Sequence, residues 1–178
     1  LLIAYTEAWQ LTDNELFKKT ASEIFTYLTR KMQDENGGFY SVEDADSEGE
    51  EGKFYVWSVS EMRDLLPTAE AELAIEIFNF TEEGNYADEA TGQRTGKNIP
   101  HLTKPLEELA EEREMDEQQL ADSLESIRTK LLDARHERVH PLLDDKILTD
   151  WNGLIIAALA KAGRAFQNRN YIKQAENC

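Results

Sequence analysis

Apolar residues recur every three or four positions over most of the chain, the period of a helix with one buried face. Leu1, Tyr5 and Trp9 mark a first helix, and Leu16, Thr20, Ile24 and Leu28 a second. Residues 1–35 therefore read as a helical pair, with Thr12 and Glu15 at capping-box spacing between them. Asn36-Gly37-Gly38 stops the second helix. Phe39 to Val42 and Phe54 to Trp57 are aromatic and β-branched, on either side of a glycine-containing acidic loop, and they predict a β-hairpin.

Ser58 and Glu61 repeat the capping-box spacing, opening a short helix that runs to Leu66 before Pro67; Ala69 to Phe80 carries the next helical run. Thr81 to Leu102 has no apolar period and is punctuated by Gly84, Gly92 and Gly96, so it reads as a long loop with room for a second short hairpin. Leu106 to Arg113 and Glu117 to Val139 are helical. In the second of these Leu120, Leu124, Ile127, Leu131 and Ala134 form one stripe. Trp151 to Ala165 is apolar almost all round, which predicts a helix covered on several sides, as in the inner ring of a layered helical array.

An internal repeat points the same way. A fixed offset that sets Ala4 against Ala158 also pairs Ala8 with Ala162, Phe17 with Tyr171, Lys19 with Lys173 and Ala21 with Ala175. Each copy is a helix, a short polar turn and a second helix, and repeated helical hairpins build stacked arrays or closed rings.

Charge narrows the partners. Lys and Arg total 19 against 36 Asp and Glu, a formal net charge of -17. Such a chain repels phosphate backbones and anionic lipid, so neither nucleic acid nor a membrane surface is an expected partner. No apolar run reaches the length of a membrane-spanning helix. The one cysteine, Cys178, cannot close an intrachain disulfide, which makes a cytoplasmic location the expectation. Leu1 at one end and a helix-like segment at the other suggest a fragment of a longer polypeptide. A fragment with uncovered apolar faces is expected to form a homo-oligomer.

Three polar clusters could carry chemistry. The loop Glu43 to Glu51 places Asp44, Asp46 and Glu48 at the first, third and fifth positions of a calcium loop, with Gly49 at the sixth. Its twelfth position is Tyr55, which cannot supply the bidentate carboxylate, so a structural loop is the simpler reading. His136-Glu137-Arg138-Val139-His140 matches the zinc-protease pattern H-E-x-x-H. Yet His140 precedes Pro141, and a residue before proline is pushed out of the helical region. No metal and no cofactor is therefore expected.

The third cluster, Leu142 to Gly153, packs Asp144, Asp145, Lys146, Asp150, Trp151 and Asn152 between apolar runs. Buried polar groups must be paired, so these either satisfy one another or face a pocket. In the first case Thr149 or Asp150 caps the following helix and Asp144 or Asp145 pairs with Lys146 or Arg135. In the second, aromatic faces meet the apolar C–H surface of a sugar while carboxylates and an amide orient its hydroxyls.

GGFYSVEDADSEGEEGKFYVW, at Gly37 to Trp57, and LLDDKILTDWNGLIIAALAKAGR, at Leu142 to Arg164, resemble the thioredoxin-domain-containing family that includes the spermatogenesis-associated thioredoxin-like proteins. The resemblance implies an α/α toroid similar to the six-hairpin glycosidases and N-acylglucosamine 2-epimerases. Residues 1–178 would be part of one such toroid, mainly α with a small β-hairpin, and the family's thioredoxin-like domain would lie outside them. No Cys-x-x-Cys occurs, so thioredoxin chemistry does not carry over.

Two functions follow as expectations. The first is a carbohydrate-processing domain, either isomerase/epimerase or glycosidase-like, with Asp144, Asp145, Asp44 and Asp46 as candidate catalytic carboxylates and Tyr55, Trp57, Lys146, Trp151 and Asn152 as candidate substrate contacts. The second is a non-catalytic carbohydrate- or protein-binding scaffold for a thioredoxin-like domain.

Overall fold

In a computed structural model the structure describes residues 1–87 and 91–178. The chain is mainly helical, with short strand pairs, and divides into two compact units: Leu1–Asp44 with Leu142–Cys178, and Ala45–Pro141.

The first unit holds two helical hairpins. Helix α1 (Leu2–Thr12) is followed by α2 (Glu15–Tyr27), which continues as a wider π-helical turn over Leu28–Met32. Helix α7 (Thr149–Ala165) is followed by α8 (Arg169–Asn177). The predicted Thr12–Glu15 box does not form. Thr12 is the last residue of α1, Asp13 takes a left-handed φ of 56°, and Asn14 is the cap, its side chain accepting from the Leu16 amide. The core gathers Leu2, Ala21, Met32, Phe39, Ala158, Leu159, Ala162 and Tyr171, with Phe25 stacked on Tyr171 at 4.0 Å between ring centroids. Residues from both copies of the repeat therefore share one core.

Close approach of α7 and α8 depends on Gly163. A Cβ there would lie 2.7 Å from Ile172 Cδ1 and 3.1 Å from the Ile172 backbone nitrogen. Gly163→Ala should therefore destabilise by about 1–3 kcal/mol. Gly153, on the same helix, has nothing within 4 Å of a built Cβ. Gly153→Ala should stabilise by roughly 0.5–1 kcal/mol through helix propensity alone. Chemical denaturation of both variants checks the opposite signs.

The second unit contains α3 (Val59–Leu65), α4 (Thr68–Ile77), α5 (Leu106–Glu112) and α6 (Glu117–His136). Ser58 and Glu61 close the predicted capping box at the start of α3. Leu120, Leu124, Ile127 and Leu131 form the buried stripe of α6, packed with Met62, Ala74, Ile77 and Trp57 in a second core.

The strands differ from expectation. Phe39–Val42 and Phe54–Trp57 do not pair with each other. Val42–Glu43 (β1) pairs antiparallel with Leu143–Asp144 (β4), and Trp57 forms an isolated bridge with Asn98. The hairpin lies inside the acidic loop, between Asp46–Ser47 (β2) and Glu50–Glu51 (β3). Glu48 and Gly49, at φ 55° and 77°, are the two left-handed residues that a tight hairpin turn requires. The long loop after α4 carries a bridge between Ala87 and Arg94, and the part of the expected second hairpin at positions 88–90 lies outside the described residues.

Candidate functional site

Of the nine residues singled out in the sequence, Asp44, Asp144, Asp145, Lys146, Trp151 and Asn152 lie in the first unit. Asp46, Tyr55 and Trp57 lie in the second.

In the first unit, pairing of β1 with β4 brings two distant stretches side by side. The Asp44 amide donates to the Leu142 carbonyl, and the Ser41 hydroxyl to that of Asp144. Asp144 is held by Lys146, whose Nζ lies 3.0 and 2.8 Å from its two carboxylate oxygens, and whose backbone amide also donates to it. These hydrogen bonds, from the Lys146 ammonium above all, keep the Asp144 carboxyl below the usual carboxylate range and raise Lys146. Asp144 is thus a fixed anion, poorly suited to giving up a proton.

Helix α7 begins without the predicted cap. Leu148 is the N-cap residue and no side chain caps it. Asn152, one turn in, is only 7% exposed. Its Oδ1 accepts from the Phe39 amide at 2.7 Å, and its Nδ2 donates to the carbonyls of Phe39 and Leu148 at 2.9 and 3.0 Å. The thiol of Cys178 also points at Oδ1, at 3.1 Å. The amide is fully used in holding the strand entry against the helix. Trp151, its neighbour, is different: 48% of its surface is exposed.

A cleft of about 300 Å³ opens in the same unit, lined by Gln33, Asp34, Glu35, Asn36, Gly37, Gln174 and Asn177. Asp34 accepts from the backbone and side-chain amides of Asn36 and from the Tyr40 hydroxyl, which together keep its carboxyl ionised to lower pH than usual. Partial burial raises the Tyr40 phenol, and the negative charges of Asp34, Asp145 and Glu35 raise it further. The Asp145 charge thus reaches Tyr40. Sequence reasoning passed over the cleft because its walls come from the turn after α2 and from α8, segments with no motif.

In the second unit, Trp57 is buried, at 3% exposure, with the Arg138 guanidinium 3.8 Å from its ring centroid. Arg138 Nη1 donates to the carbonyls of Phe54 and Val56 at 3.0 and 2.8 Å, and Nη2 to Glu61 Oε1 at 2.9 Å. Burial would raise the Glu61 carboxyl, but hydrogen bonds from Ser58 and the charges of Lys97 and Arg138 outweigh it and set it low. Tyr55 is 39% exposed and lies edge-on to Phe54, with Arg135 over both rings. Asp46 is exposed on β2.

The H-E-x-x-H stretch does not form one helical turn. Helix α6 ends at His136, and His140 lies beyond it, its ring 4.8 Å from Phe54 and 6.2 Å from His136. Among the described residues no group of three or more His, Cys, Asp or Glu side chains is gathered as metal ligands would be, and no helix is long and apolar enough to cross a membrane.

The class defined by these features is a mainly helical chain with two like hairpins sharing one core. Its curated relatives carry a name: the chain is 34% identical to human spermatogenesis-associated protein 20 over 99% of its own length, and 32% identical to the mouse protein of that name over 98%. An uncharacterized Caenorhabditis elegans protein is 30% identical over 100% of the chain. The chain spans about a quarter of the length of these relatives, between 24% and 27%. No protein-family model matches it.

Proposed function

We propose that the chain is part of a carbohydrate-processing α/α toroid and contributes a sugar-binding surface at the start of α7. One observation carries the reading: Trp151 keeps 48% of its surface exposed in the first turn of a helix, a few residues after the polar run Asp144-Asp145-Lys146. An exposed indole gives a sugar ring an apolar platform, and neighbouring carboxylates and an ammonium give its hydroxyls acceptors and a donor. Asp145 is the better candidate for acid/base work, because Asp144 is committed to Lys146. Asn152 and Trp57, expected as sugar contacts, support the fold instead.

Calorimetric titration with free hexoses and hexose phosphates tests the proposal. Saturable binding is expected, weakened at least tenfold by Trp151→Ala with an unchanged melting temperature. A surface that binds no sugar, or binds equally well without the indole, removes it.

A second reading is a non-catalytic scaffold for a thioredoxin-like domain. The observation in its favour is that two of the expected contacts, Trp57 and Asn152, are buried and fully engaged by backbone or guanidinium groups. Under that reading Asp145→Asn leaves every sugar-dependent property of the longer protein unchanged.

A further inference from the structure

Asparagine precedes glycine at Asn36–Gly37 and at Asn152–Gly153, and every other asparagine of the chain precedes a residue with a side chain. The pairing matters chemically. A glycine puts no side chain in the way of its own backbone nitrogen as that nitrogen approaches the carboxamide of the residue before it. The nitrogen can then attack the asparagine Cγ and close a five-membered ring.

The structure treats the two pairs differently. Asn152 and Gly153 lie within α7, where the helical ladder engages the backbone amides. The Asn152 carboxamide is buried, its oxygen accepting from the Phe39 amide and its nitrogen donating to the carbonyls of Phe39 and Leu148. Ring closure there requires the helix start to open first. Asn36 and Gly37 lie in a turn outside any helix, and Asn36 is exposed. One residue restrains this turn. Asp34 Oδ1 accepts from the Asn36 backbone amide at 2.8 Å and from Asn36 Nδ2 at 3.0 Å, and the Asp34 carbonyl accepts from the Gly37 amide at 3.0 Å. Its carboxylate thus holds the group under attack, and its carbonyl holds the attacking nitrogen.

We propose that Asn36 is a site of spontaneous deamidation and that Asp34 is its brake. The Gly37 nitrogen loses its proton to solvent and bonds to Asn36 Cγ. The Cγ–Nδ2 bond breaks, and the nitrogen leaves as ammonia with a proton from water. Water then opens the succinimide at either carbonyl: attack at the backbone carbonyl gives isoaspartate, attack at Cγ gives aspartate. The structure also sets the consequence. Gly37 takes a φ of 102° and lies so close to α8 that a Cβ there would be 2.4 Å from the Asn177 carbonyl oxygen. Isoaspartate lengthens the main chain by a methylene at this tight contact, and either product puts a carboxylate beside Asp34 and Glu35. The turn is therefore pushed off α8. Because the change is one-way, it accumulates with the age of each molecule.

Peptide mass mapping of the folded chain, aged in mildly alkaline buffer, supplies the test. The Asn36 peptide should convert from amide to acid, mostly as isoaspartate, roughly tenfold or more faster than the Asn152 peptide of the same sample, because opening a helix costs more than opening a turn. Asn36→Gln, whose longer side chain closes the ring poorly, should abolish the conversion. Asp34→Ala should speed it severalfold relative to Asn152, whose rate in the same sample reports any general unfolding. Asp34→Asn keeps an acceptor oxygen and should speed it less, which decides the matter if the alanine variant does not fold. An Asn36 peptide that stays unconverted, or converts no faster than that of Asn152, overturns the site. Equal rates in the wild type and the folded Asp34 variants overturn the brake.

Discussion

Arg138→Ala should lower the stability of the Ala45–Pro141 unit by about 3 kcal/mol, a drop of roughly 12 to 24 °C in its melting midpoint. The guanidinium gathers three parts of this unit. It binds the carbonyls of Phe54 and Val56, the Glu61 carboxylate in the first turn of α3, and the face of Trp57. Its side chain is 21% exposed, so water recovers little of what the truncation removes. Arg138→Lys should restore less than half of the loss. One ammonium can reach the carbonyls or Glu61, and it lacks the flat fork that does both while stacking on an indole. The effect carries a pH signature. Glu61 has its carboxyl set low in the folded state, so its share of the stability is present above the unfolded carboxylate range and is lost as pH falls through the folded value. The gap between wild type and Arg138→Ala should narrow over that acid window, as melting curves at a series of pH values would register.

Asn152→Ala should cost a similar amount, about 3 kcal/mol, in the other unit. The truncation leaves the Phe39 amide and carbonyl without their partner at a position where Phe39 itself is 1% exposed. Buried backbone groups stripped of a partner lose the full cost of dehydration, which exceeds the value of the bond itself. Asn152→Asp should be no rescue. A carboxylate could still accept from the Phe39 amide, but it would face the carbonyls of Phe39 and Leu148 with no hydrogen to give. Hydrogen exchange at the Phe39 amide is the specific readout: slow in the wild type, fast in both variants.

Local pattern accounted for the helices and missed what joins them. The stripe Leu120, Leu124, Ile127 and Leu131 and the Ser58–Glu61 box were legible because each is settled by residues within a few positions of one another. The strands were not. Val42 takes as its partner Asp144, from a stretch remote in the sequence, and Trp57 takes Asn98. A buried Asn98, whose side chain accepts from the amides of Thr81 and Asn85 and donates to the Trp57 and Thr81 carbonyls, fixes the long loop without leaving any period in the sequence. Helix α7 is apolar all round yet leaves Leu154 67% exposed, because composition says what can be buried and only neighbours decide what is. In the H-E-x-x-H stretch the match drew attention to two histidines, while the residue that binds most groups is the arginine between them.

The candidate site was legible by residue type and less so by role. Asp144, Asp145, Lys146 and Trp151 do share one unit, but Asn152 looked like a ligand contact only because an amide beside an indole suits either a sugar or a backbone. The chain contains three tryptophans, and their indole N–H signals are separate probes of the proposed surface. In a proton–nitrogen spectrum recorded during titration with the sugars above, the account predicts that the Trp151 indole shifts and saturates while those of buried Trp57 and of Trp9 stay in place. No shift at Trp151, or shifts confined to the amides of the Gln33–Gly37 cleft, would contradict it.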